Sequence, residues 1–211
     1  FSTMAILLAS TLSACATTQP PVASVRNADW PTYGQDRGGQ RHSPLTAITP
    51  ANVASLTPAW TYHMKPPASA AAPDPAAAAQ AAAENAGPQR VAPGGFVASQ
   101  ATPVVADGRM FLTTPYGRAV ALDPATGAEL WVSEVTGVGQ LSLRGVEYWA
   151  GDAATAPRIV FGTRGGRLVA LDAATGARAA GVGVDGVVDL RTPEVLQGAR
   201  PGNYGMTSPP V

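Results

Sequence analysis

Residues 101–132 carry four short apolar runs separated by turn residues, and this pattern limits the possible folds more than any other part of the sequence. The runs are Thr102–Val105, Met110–Thr113, Arg118–Leu122 and Glu129–Val132. Between the first two lies Asp107-Gly108, which predicts a tight hairpin because glycine reaches positive φ without a Cβ clash. Four antiparallel strands in about 32 residues are typical of one β-propeller blade.

The same unit recurs about 49 residues later, a spacing within the range of blade repeats. Arg158–Gly162 and Arg167–Leu171 are again apolar runs, and both copies contain Val-Ala-Leu-Asp-x-Ala-Thr-Gly, ending at Gly127 and Gly176. The aspartate can accept hydrogen bonds from the turn amides while the glycine takes the left-handed conformation. The alternative is two unrelated hairpins. The second copy has no tryptophan where Trp131 stands in the first.

Alternation within the third run predicts which face of the first blade each side chain occupies. Val120 and Leu122 should share one face, with Ala119 and Ala121 on the other.

The composition of the whole chain agrees with a β fold and excludes some functions. The 23 Gly and 20 Pro of the chain suit a fold with many turns. A formal net charge of zero gives no broad basic field for nucleic acid. Two histidines and one cysteine provide neither a zinc site nor a disulfide.

The first residues have the character of an export signal. The apolar run Met4–Ala14 is too short to span a bilayer, and Leu12-Ser-Ala-Cys15 resembles a bacterial lipobox. The resemblance implies a signal peptide over 1–14, lipid attachment to Cys15 and a polar tether over 15–28. The alternative is an ordinary secretory signal with an incidental cysteine. Either way we expect a periplasmic protein, anchored to the membrane if Cys15 is lipidated.

Residues 29–64 predict a short helix followed by a strand. Thr49 would cap the helix, Pro50 would take its first position, and Leu56–Thr61 would begin the strand. The next stretch, 66–95, is rich in alanine and proline and has few larger apolar side chains. It cannot bury much surface, so it predicts a mobile insertion within the domain that spans 29–211.

An ordered set of motifs resembles the PQQ-dependent quinoprotein dehydrogenases. The early ones are Tyr33-Gly34, Arg41-His-Ser-Pro44, Ile48-Thr-Pro-Ala-Asn-Val and Pro58-Ala-Trp60-Thr-Tyr. The later ones are Ala101-Thr-Pro-Val-Val, Thr114-Pro-Tyr116, Ala121-Leu-Asp-x-x-Thr-Gly with Trp131, Arg144-Gly-Val-x-Tyr-Trp149 and Thr207-Ser-Pro-Pro210. The match covers 29–211 apart from the insertion, and its last motifs are most similar to the membrane-type glucose dehydrogenase branch.

The resemblance implies an all-β fold, an eight-bladed β-propeller with PQQ and Ca²⁺ on its axis. This chain would be an N-terminal fragment supplying about two blades and parts of their neighbours. The whole enzyme would oxidise a sugar, polyol or alcohol hydroxyl and pass electrons to a membrane quinone or a cytochrome. The calcium ligands and the catalytic aspartate would lie beyond Val211, so no metal ligand is expected in this chain. The alternative is a non-catalytic propeller lipoprotein that serves as an outer-membrane assembly scaffold.

Three residues take cofactor-binding positions under this resemblance. Arg144 stands where the family places an arginine on PQQ, Gln100 where it has a glutamate that contacts PQQ, and Thr207 where a threonine hydroxyl bonds it. A guanidinium can form two hydrogen bonds with a carboxylate, which suits an o-quinone that carries three of them. The alternatives are an exposed strand arginine, a polar residue at a strand start and a turn residue.

Other positions separate branches of the family or serve packing. Tyr116 and Arg118 stand where the glucose dehydrogenase branch has residues near the site entrance. Ser142-Leu143 replaces the vicinal cysteine pair of alcohol-oxidising members, which argues against the methanol or ethanol branch. Trp131 and Trp149 are expected to pack blades rather than stack on a ligand, because buried aromatic side chains mostly fill space.

Overall fold

The computed structural model of this chain describes residues 29–66 and 97–210. The predicted signal peptide, the tether, Cys15 and all but the first residue of the alanine- and proline-rich insertion lie outside the described residues.

Eight strands form almost all of the regular structure in the described ranges. They are β1 (Val104–Ala106), β2 (Arg109–Thr113), β3 (Arg118–Leu122), β4 (Glu129–Glu134), β5 (Glu147–Trp149), β6 (Arg158–Gly162), β7 (Arg167–Asp172) and β8 (Val187–Asp189). The helical elements are single turns: a 3-10 turn at Val53–Ser55, α1 (Pro193–Leu196) and a 3-10 turn at Pro201–Asn203.

The strands form two four-stranded antiparallel meanders with the orders β1-β2-β3-β4 and β5-β6-β7-β8. The repeat therefore corresponds to two consecutive blades, and the all-β prediction is confirmed. In the first hairpin both turn residues have positive φ, 49° at Asp107 and 70° at Gly108. Such a turn matches the right-handed twist of the flanking strands.

The two faces of β3 have different partners, as the alternation predicts. Ala119 and Ala121 belong to a cluster between the two blades, which is built mainly from these large side chains: Val104, Phe111, Ile159, Phe161, Val169 and Leu171. Val120 and Leu122 lie on the opposite face with Leu112, where the partly buried Trp60, Tyr62 and Met64 cover them. The small alanines allow the second blade to pack closely against the first.

An aspartate organises the turn after the third strand of each blade. Asp123 Oδ1 accepts hydrogen bonds from the backbone N–H groups of Ala125 and Thr126, both at 2.9 Å. Asp172 Oδ1 accepts the equivalent bonds from Ala174 at 3.0 Å and Thr175 at 2.8 Å. The hydrogen bonds from Thr126, its backbone N–H first, and from Ala125 hold the pKa of Asp123 below its ordinary value.

A tryptophan joins each of these turns to the preceding unit. Trp131 of the first blade donates its indole N–H to the carbonyl oxygen of Ala173 at 3.1 Å, and its ring lies on Gly176. Trp60 repeats the contact with the turn at Gly127, donating to Pro124 O at 3.2 Å. Trp131 thus packs blades as expected. Trp149 is 38% exposed, with the Arg158 guanidinium 5.6 Å from its ring centroid.

The second blade departs from the first where its tryptophan would stand. In the first blade Leu122 pairs with Glu129 and Val120 with Val132, only three residues later. In the second blade Leu171 pairs with Arg178, but Val169 pairs with Val187, nine residues later. Residues 181–186 between these pairs form a small loop, closed by reciprocal backbone hydrogen bonds between Val184 and Val187 at 2.9 and 3.0 Å. β8 therefore reaches its place in the sheet only after these extra residues, which have no counterpart in the first blade.

Two predictions for 49–61 are corrected. The helix is a single 3-10 turn, Val53–Ser55, whose N-cap position is Asn52 rather than Thr49. The Asn52 side chain does not cap this turn, because its amide accepts from Thr49 N–H and donates to Ala47 O. The strand predicted at Leu56–Thr61 is absent. The side chains at 60, 62 and 64 do alternate inward, but the described residues give this backbone no ladder partner.

Candidate functional site

Three chain segments meet where the first strand of each blade begins. The segment before β1 and the segment before β5 run side by side: Thr102 forms a parallel bridge with Gly145, and Gln100 N–H donates to Leu143 O at 3.2 Å. The third segment, 206–210, is attached through Met206 N–H, which donates to Thr163 O at 2.9 Å. The meander topology thus gathers residues far apart in the sequence at one edge of the two sheets.

Ser142 ties these segments together and is almost fully buried. Its hydroxyl donates to the carbonyl oxygen of Thr207 at 2.8 Å and accepts the backbone N–H of Arg144 at 3.4 Å. Its own carbonyl oxygen accepts the hydroxyl of Thr113 at 2.8 Å. From the sequence, Ser142 stood out for the cysteine it replaces. Its role in joining Arg144 to Thr207 has no sequence signal, because Thr207 and Thr113 come from other segments.

A cavity of about 110 Å³ opens at this junction. Gln100, Arg144 and Thr207, the three predicted cofactor-binding residues, all line it, together with Leu143 and Arg164. The fold therefore brings the three together, although each is exposed in the described chain. Their contact with a cofactor stays a prediction. Arg164 carries no sequence signal of its own, because it lies in the β6–β7 turn rather than in a recognised motif.

Arg144 lies between this cavity and a larger one of about 440 Å³. Its Nη1 donates to the Ser208 hydroxyl at 3.2 Å, which orients the guanidinium along the 206–210 segment. The 32–39 loop forms one wall of the larger cavity, and Gln100, Thr102 and Pro209 line it from the other segments. The guanidinium thus lies within the junction of the three segments.

The larger cavity is electrostatically mixed. Asp36 and Glu147 contribute carboxyl groups, while Arg37 and Arg144 contribute guanidinium groups. Burial raises the pKa of Glu147 to about 7, although the positive charge of Arg37 opposes the shift. A carboxyl that titrates near neutrality therefore lies three residues after Arg144 in the same wall.

Tyr116 and Arg118, the two positions associated with a site entrance, line neither cavity in the described parts of the chain. The Tyr116 hydroxyl accepts the backbone N–H of Val97 at 3.1 Å and so holds the segment that leads to Gln100. Arg118 forms an ion pair with Glu129 at 2.9 Å, and Glu129 also accepts the Tyr62 hydroxyl at 2.6 Å. The contacts seen at these two positions are structural.

The donors around the smaller cavity suit one edge of an anionic, carboxylate-bearing group. Arg144 and Arg164 supply guanidinium groups, Gln100 a side-chain amide and Thr207 a hydroxyl. The volume admits a carboxylate but not a whole three-ring cofactor.

Within 29–66 and 97–210, no group of three or more His, Cys, Asp or Glu side chains is arranged to hold a metal ion. The same ranges contain no helix long and apolar enough to cross a membrane.

Comparison with known proteins identifies the family. The sequence profile described as "PQQ: Glucose/ethanol/alcohol dehydrogenase, beta-propeller domain" matches residues 30–211. Quinoprotein glucose dehydrogenase of Escherichia coli K12 is 30% identical over 218 aligned residues, covering 95% of this chain and 24% of the relative. Quinoprotein glucose dehydrogenase A of Acinetobacter calcoaceticus is 31% identical over 215, covering 92% and 24%. The chain thus spans about a quarter of these relatives' length.

Solved structures agree with the sequence comparison. The quinohemoprotein alcohol dehydrogenase of Comamonas testosteroni superposes with a TM-score of 0.56 at 27% identity, over 86% of this chain and 21% of that one. The quinohemoprotein alcohol dehydrogenase ADHIIG of Pseudomonas putida HK5 gives a TM-score of 0.58 at 26% identity, over 87% and 21%. With its two antiparallel blades and the profile match over nearly all described residues, the chain belongs to the β-propeller family of PQQ-dependent glucose, ethanol and alcohol dehydrogenases, and it is glucose dehydrogenase-like.

Proposed function

We propose that this chain is the N-terminal part of an exported dehydrogenase that uses PQQ and Ca²⁺ to oxidise a hydroxyl of a sugar, polyol or alcohol. Two relatives that cover most of the chain are named quinoprotein glucose dehydrogenases, and others are named glycerol and 1-butanol dehydrogenases. Electrons would leave to a membrane quinone or a cytochrome, the acceptors that several relatives' names contain.

One observation carries the proposal: Gln100, Arg144 and Thr207 line a single cavity. They come from three segments that are brought together by sheet topology and by the buried Ser142 hydroxyl. A scaffold propeller would have no need for a guanidinium, an amide and a hydroxyl converging on one cavity. The convergence supports binding of an anionic ligand at the blade starts.

The residues of this chain would bind and orient the cofactor. Bound PQQ would supply the electron-accepting quinone. The Arg144 guanidinium would bind a carboxylate or a quinone oxygen and stabilise negative charge that develops there. The Gln100 amide can donate and accept, and the Thr207 hydroxyl can donate to an oxygen at the cavity edge. Ser142 would hold the backbone of Arg144 and Thr207 in place. The catalytic base and the Ca²⁺ ligands would come from beyond Val211.

The test uses the protein produced from its complete gene, reconstituted with PQQ and Ca²⁺. Reduction of an artificial electron-accepting dye is measured with aldoses, polyols and primary alcohols. We expect PQQ-dependent turnover with at least one of these substrates. We also expect Arg144→Lys to weaken PQQ binding, because a single ammonium cannot form the paired hydrogen bonds of a guanidinium. Absence of PQQ binding and turnover would contradict the proposal and favour a scaffold.

Export and anchoring are tested separately. Wild-type protein made in a bacterial host should incorporate labelled palmitate and fractionate with membranes, as a lipidated Cys15 requires. A Cys15→Ser variant should lose the label. Export without labelling of the wild type would support an ordinary secretory signal and contradict lipidation.

A further inference from the structure

We infer that Arg164 is a second cationic contact for a carboxylate of the proposed cofactor, in addition to the motif arginine Arg144. The inference rests on the proposed function and extends it to a residue outside the family motifs. Both arginines line the smaller cavity, and no acidic side chain is among the described residues that line it. Two guanidinium groups that line one cavity without an acid beside them repel each other, and an anionic group bound in that cavity would relieve the repulsion.

The backbone of Arg164 is fixed at this position from two sides. Its N–H donates to Gln140 O at 2.8 Å, which joins the β6–β7 turn to the segment that precedes β5. Its carbonyl oxygen packs against Gly205, where a Cβ would overlap it. At Gly165 a Cβ would lie 2.9 Å from Val138 O. Glycines thus permit close backbone approach on both sides, so the Arg164 side chain starts from a defined point at the cavity edge.

The charge of Arg164 is not neutralised by the described part of the chain. Ion pairs there involve Arg118, Arg167 and Arg191, and Arg164 takes part in none of them. Arg167, three residues later in the same turn region, lies 3.7 Å from Asp189 and is thereby paired. The larger cavity, in contrast, contains Asp36 and Glu147 beside its arginines. The smaller cavity is therefore the positive end of the site, where a carboxylate would bind.

The test measures binding rather than turnover. Apo-protein from the complete gene is titrated with PQQ and with its trimethyl ester, which lacks the carboxylate charges, and quenching of tryptophan fluorescence is followed. Arg164→Gln should weaken PQQ binding about tenfold, the lower end for a charge-assisted hydrogen bond, because the side chain is exposed. Affinity for the ester should change less than about twofold, since a neutral ligand gains little from the charge.

Matched variants separate charge from folding. Arg200→Gln removes an exposed arginine that lines neither cavity and should leave PQQ affinity unchanged. Arg164→Lys keeps the charge and should retain an intermediate affinity. Thermal unfolding of each variant checks that the propeller is intact, and the lysine variant replaces the glutamine variant in the comparison if the latter is unstable.

The outcomes are distinguishable. Equal weakening of PQQ and ester by Arg164→Gln would overturn the inference, because the residue would then act through structure rather than charge. Unchanged PQQ affinity in Arg164→Gln, with weakened binding in Arg144→Gln, would overturn it while leaving the proposed function intact. Wild-type apo-protein that fails to bind PQQ at all would instead contradict the proposed function.

Discussion

The contact between Trp131 and Gly176 gives the sharpest stability prediction, because the chain contains a matched control for it. At Gly176 φ is +73°, and a Cβ would lie 2.5, 2.8 and 3.0 Å from three atoms of the Trp131 ring. At Gly137 φ is +72°, and a Cβ would meet nothing within 4 Å. Alanine at either position pays the same left-handed backbone cost, about 1–2 kcal/mol. Only at Gly176 does the ring add a steric cost.

We expect Gly176→Ala to lower the free energy of unfolding by about 1–3 kcal/mol more than Gly137→Ala, the usual cost of inserting a methyl group into a packed contact. The ring cannot move aside freely because its indole N–H is bound to Ala173 O. The assay is equilibrium urea unfolding of the protein produced from its complete gene, followed by tryptophan fluorescence and extrapolated linearly to zero urea.

A double variant tests the assignment of the steric cost to the ring. Trp131→Ala removes the ring, so adding Gly176→Ala to it should cost no more than Gly137→Ala does in the wild type. Equal losses for the two glycine variants in the wild-type background would refute the proposed lock between blades. An undiminished cost of Gly176→Ala in the absence of the ring would refute it as well.

Three further predictions use the same unfolding assay. Trp131→Phe keeps an aromatic ring but loses the hydrogen bond to Ala173 O, and should cost about 0.5–1.5 kcal/mol. Asp123→Ala should destabilise the chain at neutral pH, because the ionised carboxylate accepts the hydrogen bonds of the turn. The folded pKa of Asp123 lies below its ordinary value, so the difference in stability from wild type should shrink as the pH falls through that folded pKa. A difference in stability that does not change with pH would contradict the turn-capping role. Burial raises the folded pKa of Glu147 to about 7, so wild type should lose stability as the pH rises from the ordinary value of 4.5 to about 7. The stability of Glu147→Gln relative to wild type should therefore increase through that window and stay constant above it.

The repeat and its turn chemistry made the blades predictable from sequence. Strand alternation, Asp-Gly at 107–108 and the Asp-x-Ala-Thr-Gly turns are local features, with causes that lie within a few residues of chain. β2, β3, β6 and β7 accordingly match the predicted runs to within one residue. The short strand β8 was not predicted, because its pairing depends on how far the 181–186 loop displaces the chain before it meets β7 again.

The sequence by itself determined that the chain folds as propeller blades and that Gln100, Arg144 and Thr207 are the residues to examine. The tertiary structure decided what surrounds them: Ser142 as the link between segments, Arg164 at the same cavity and Glu147 in the adjoining wall. It also decided that 56–61 forms no strand, since a strand needs a ladder partner and the described residues supply none there. The physical reason is the same in each case, because a contact between distant segments depends on sheet topology, which leaves no periodic signal in either segment.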